Sequence, residues 1–76
     1  MDTYKVIVYH TSGVNQGNKD FELFCPDLET ARQRRKFYVD EAKRQGVKNS
    51  ALFPSIHHFR ESDIERGRYD WYYVEG

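Results

Sequence analysis

Two periods of apolar spacing alternate along this chain, and each change of period marks an element. Tyr4-Lys5-Val6-Ile7-Val8-Tyr9-His10 is β-branched and aromatic, which predicts a strand. Tyr4, Val6 and Val8 share one of its faces, and Ile7 and Tyr9 share the other. With both faces apolar, the strand is expected at the centre of a sheet. The polar run Thr11 to Lys19 holds Gly13, Asn15, Gly17 and Asn18, the residues of a turn-forming loop. Alternation resumes from Asp20 to Cys25. Phe21, Leu23 and Cys25 lie on one side, with Asp20 and Glu22 on the other, as in the second strand of a hairpin.

At Pro26-Asp27 the period changes. Asp27 is a good N-cap, Glu29 suits the positive end of a helix, and Gly46 is a natural stop. Between them Leu28, Ala31, Tyr38, Val39 and Ala42 fall on one helical face. The spacing predicts a helix over about residues 28–45, roughly 27 Å long at 1.5 Å per residue. Val47 to Pro54 then connects, anchored by Leu52 and Phe53. Ser55 to Arg60 reads as a third strand, Ser62 to Gly67 as a turn with one short helical turn, and Arg68 to Val74 as a fourth strand. The order is ββαββ, an α+β fold with a four-stranded, mainly antiparallel sheet and one helix packed on one face. Val6, Val8, Leu23, Leu28, Tyr38, Val39 and Ala42 are the expected core. Nothing remains to cover the other face, so a binding surface is expected there.

Composition sharpens this picture. Seventy-six residues make one small domain, 1–76, close to the size at which a single core barely suffices. Only 38% of the residues are hydrophobic, so the core must lean on its aromatics. Twelve basic and twelve acidic residues cancel, which removes any global attraction to nucleic acid or anionic membrane. A lone Cys25 cannot form an internal disulfide and points to a reducing compartment. The chain lacks both an apolar run of membrane-spanning length and the apolar core of a signal peptide. A complete small cytoplasmic product, with no membrane partner, is the expectation.

Tyr69, Trp71, Tyr72 and Tyr73 crowd the last strand. Side chains of this kind combine large apolar area with a polar handle, which suits a rigid contact surface. Tyr69, Trp71 and Tyr73 would share one face, and Tyr72 and Val74 the other. Tyr72 and Val74 suffice for a modest core pair. The larger triplet is therefore assigned to the open face, flanked by Arg60 and Arg68, although the reverse assignment stays open. Phe37, nearly opposite the apolar stripe of the helix, is a further candidate anchor. Arg35 falls inside that stripe. Its stem is expected to cover the core while its guanidinium reaches the sheet edge or a carboxylate, the alternative being contact with an anionic ligand. Arg32, Arg34 and Lys36 are spread by the helix, and Asp40 can pair with Lys36 and Arg44, which describes a solvated, salt-bridged face.

His57 and His58 are adjacent, so on a strand they point apart and cannot readily share a metal. Neither metal nor cofactor is expected. Ligand spacings, a phosphate-cradling glycine motif and a nucleophile elbow are all missing from the sequence. The leading expectation is a non-catalytic module that binds another protein, of the kind that phages and mobile elements use as inhibitors of a host enzyme or defence complex. One alternative is single-stranded nucleic-acid binding through Lys5, Arg60, Arg68, Tyr69, Trp71 and Tyr73. A small enzyme using His57 or His58 ranks last.

Overall fold

The computed structural model describes residues 3–67 and 70–76. Its elements run β1 (Thr3–Tyr9), β2 (Lys19–Cys25), α1 (Leu28–Arg44), β3 (Ser55–Phe59), a single helical turn α2 (Glu61–Glu65) and β4 (Tyr72–Glu75). The four strands form one antiparallel sheet in the order β2-β1-β3-β4, with α1 packed across β1, β2 and β3. This is the ββαββ architecture that the spacing predicts. β1 is central, as its two apolar faces require.

Local chemistry sets the ends of α1. The Asp27 carboxylate accepts from the Thr30 backbone N–H at 2.7 Å, satisfying a donor with no intrahelical partner. At the other end Gly46 takes φ +86°, a left-handed conformation that side chains disfavour. There the Gly46 N–H reaches the Lys43 carbonyl and the Val47 N–H reaches the Ala42 carbonyl, each at 3.0 Å. That pair of bonds closes the helix.

The core lies between α1 and the sheet. Val6, Ala31 and Ile56 are fully buried and Cys25 nearly so, while Tyr4, Val8, Leu23 and Leu28 pack around them. Ala31 has no side chain beyond Cβ, which lets the helix axis approach the strands closely. Val39 and Ala42 are buried as expected, and Tyr38 is half-buried against Phe21. Leu52 and Pro54 seal the end nearest the connector. Arg35 behaves as its position in the stripe demands, its Nε donating to the Pro54 carbonyl at 2.8 Å.

The last strand differs from the sequence expectation. Pairing begins at Tyr72 rather than Arg68, and Asp70 and Trp71 precede the ladder. β4 has partners only at Ile56, His57 and His58. The ring of Trp71 instead packs over Phe59 at 5.3 Å between centroids, so the residue is used for burial, not for pairing. A register shift at Ile56/His57 sets Glu75, not Val74, opposite Ile56. Val74 is therefore exposed, which removes it from the expected core pair with Tyr72.

Candidate functional site

Register assigns the faces. Val6 pairs with Leu23 and Ile56 on the helix side, so Lys5, in line with Phe24 and His57, faces away from α1. Tyr73 pairs with His57 and joins that open face. Trp71 joins it as well. Its ring meets Phe59 and lies 5.9 Å from Phe24, which belongs to the strand on the far edge. The indole thus reaches back across the sheet instead of standing out from it. Phe24 and Tyr73 remain 65% and 64% exposed at the two ends of this aromatic strip.

Beneath the indole sits a charge. Lys5 Nζ is 4.3 Å from the Trp71 ring centroid and 2.6 Å from Glu22 Oε2. Glu22 Oε1 takes Lys19 Nζ at 2.7 Å. One carboxylate therefore serves two ammonium groups, and hydrogen bonds from Lys19 and then Lys5 pull its pKa down to about 2. Lys5 is only 13% exposed at its side chain, so water is largely excluded from the pair. A cation over an aromatic ring contributes about 0.5–2 kcal/mol, more as it is desolvated. Trp71, Lys5 and Glu22 hold one another in place.

A polar seam runs beside this cluster. The Tyr9 hydroxyl lies 2.8 Å from Ser55 Oγ, which in turn lies 2.9 Å from His57 Nε2. Burial, and then the neighbouring Lys5 charge, lower the His57 pKa, while Glu22 acts in the opposite sense. A serine hydrogen-bonded to histidine has the geometry of a nucleophile and its base. Ser55, however, is buried beneath Tyr9 and His57, and its hydroxyl bridges them. The seam satisfies polar groups between strands, as buried polar groups require.

The expected site residues divide. Trp71 and Tyr73 come to the open face. Arg68 and Tyr69 lie outside the described residues. Arg60 stacks over Tyr72, with its guanidinium carbon 4.7 Å from that ring's centroid. Tyr72 pairs with His58, on the helix side of the sheet, so Arg60 does not flank Trp71. Phe37 is 57% exposed on α1 and touches Tyr38 edge-on, far from the open face in the layer order. His57 and His58 point to opposite faces, the one against Tyr73 and the other stacked on Tyr4. No cluster of three or more potential metal ligands occurs among the described residues. Cys25 is a free, buried thiol whose pKa burial raises.

Sequence reasoning missed Phe24, Phe59 and the Lys5–Glu22 pair. Phe24 carried a usable signal, since it is the one aromatic on the Glu22 side of β2. No helix among the described residues is long and apolar enough to cross a membrane. No protein-family model matches the chain, and neither a curated protein nor a solved structure shows significant similarity to it, so its reading rests on this geometry.

Proposed function

We propose that the chain is a non-catalytic protein-binding module and that its working surface is the open face of the sheet. The observation that carries this reading is the aromatic strip of Phe24, Trp71, Phe59 and Tyr73 on a face that no described element covers. Interface anchors are typically large aromatics with depleted charge around them. Here Glu22 offsets part of the charge of Lys5 and Lys19, and Trp71 is pre-set by Lys5, which lowers the entropy cost of ordering it on binding. The same pairing weighs against single-stranded nucleic acid, which needs cations free to meet phosphates. Lys5 and Lys19 are already engaged with a carboxylate.

Immobilised chain, exposed to lysate of its native host with and without nuclease, tests the proposal. Phe24→Ser and Tyr73→Ser are the matched controls, because both residues are largely exposed and their loss should leave the fold intact. Capture of one stoichiometric protein, insensitive to nuclease and lost with either variant, is the expected result. Nuclease-sensitive capture would move the reading to nucleic acid. Capture that survives both substitutions would remove the open face from the function.

A further inference from the structure

On the opposite layer, where α1 meets the hairpin end of the sheet, a cleft of about 260 Å³ opens between the helix and β1 and β2. Val8, Ala42 and Leu52 give it an apolar base, and Phe21 and Tyr38 line it edge-to-face at 5.4 Å. A weak strut from Thr11 Oγ1 to Gln45 Oε1, 3.4 Å long, ties the start of the hairpin loop to the helix end. Its two carboxylates are Glu41 and Asp20, the residue passed over by a register shift where Val8 pairs with Phe21 and Tyr9 with Lys19. Among the described residues no lysine or arginine lines it, in a chain with twelve of them. Arg44 pairs with Glu41. Asp20 has His10 at 3.7 Å, a partner that carries charge only when protonated.

We propose that this cleft is a binding site for the guanidinium of an arginine side chain presented by a protein partner, with Asp20 as its carboxylate and Tyr38 as its stacking ring. Three features select that occupant. The volume lies just below the roughly 300–1,000 Å³ of typical small-molecule pockets, which suits one side chain. The Asp20 carboxylate and the last turn of α1, where Ala42 and Gln45 line the cleft, both favour a cation. An aromatic wall beside a carboxylate matches a planar fork that can stack and donate at once, which an ammonium cannot do as well. Phe37, edge-on to Tyr38 and exposed, offers an apolar shoulder for the residue next to that arginine. This site lies on the helix side of the sheet, so it stands or falls independently of the open face.

Titration of the ¹⁵N-labelled chain with N-acetyl-L-arginine amide, followed by amide chemical shifts, reads the site directly. The neutral isostere N-acetyl-L-citrulline amide is the control. Saturable shifts at Asp20, Phe21, Tyr38 and Ala42 are expected, with a Kd on the order of millimolar, and citrulline should bind about tenfold more weakly. Asp20 is exposed, so Asp20→Asn should preserve the spectrum while weakening arginine about fivefold or more. Absence of saturation at about 50 mM, equal response to citrulline, unchanged affinity in D20N, or shifts centred on Lys5 and Trp71 would each overturn the proposal.

Discussion

The two faces of one sheet are built on different principles. Toward α1 the strands present Val6, Ile56 and Cys25, small or aliphatic groups fully covered by a second layer. Away from it they present Lys5, Glu22, Ser55 and His57 beneath rings that fold over them from the chain's own edges. The first face is stabilised by burial in proportion to area. The second has no layer to bury it, so it relies on paired charges, a hydrogen-bonded seam and a single indole. A small domain can thus keep an uncovered face without leaving its polar groups unpartnered, and still have aromatic area left exposed for contact.

The comparison can be broken at its strongest point first. Ile56→Ala opens a cavity where relaxation is blocked on all sides, and should cost about 2–5 kcal/mol in urea unfolding. Phe24→Ala, at the edge of the open face, should stay within about 1 kcal/mol. Equal losses at the two positions would show that the faces are not energetically distinct. Trp71→Ala should fall between them, at about 1–3 kcal/mol, because the ring is only half-covered compared with a core aromatic. A loss above that range would make Trp71 core, and a loss near zero would mean that Lys5 does not hold it.

Acid sharpens the comparison further, and with a smaller effect. His57 has a folded pKa below its ordinary 6.5, so its contribution is whole above that value and fades as pH falls through the lower folded one. Glu22, depressed from 4.5 to about 2, contributes above 4.5 and is lost as pH falls toward 2. Both losses belong to the open face, where Glu22 stands opposite Ile7 and His57 opposite Lys5. The thermal midpoint should therefore decline in two windows on acidification. His57→Gln should flatten the upper one and Glu22→Gln the lower. Unchanged profiles in both variants would leave the seam and the ion pair without a role in stability.

Much of the architecture was legible because it depends on local chemistry. Asp27, Gly46 and the helical spacing of Ala31, Val39 and Ala42 bound α1 nearly to the residue. The alternation through Phe21, Leu23 and Cys25 sets the face of β2 correctly. The site was less legible, because it depends on what side chains meet across strands. Trp71 could not be read as reaching Phe24, since that requires the order β2-β1-β3-β4 and the reach of a ring outside the ladder. The place of Arg60 also depends on a contact across strands, since its ring partner Tyr72 pairs with His58 on the helix side.

The register shift in β4 has a consequence for phase. Tyr73 and Glu75 are two apart, so strict alternation would aim both at the same side. The extra residue between Ile56 and His57 partners resets the count. Tyr73 consequently faces away from the helix, while Glu75 turns toward it and accepts from Arg32 Nε at 2.9 Å. One strand of four residues is in effect two half-strands of opposite parity, with Val74 as the spacer. Its isopropyl group answers to neither layer, which makes residue 74 the position where this edge can change length or identity without disturbing what either half-strand holds.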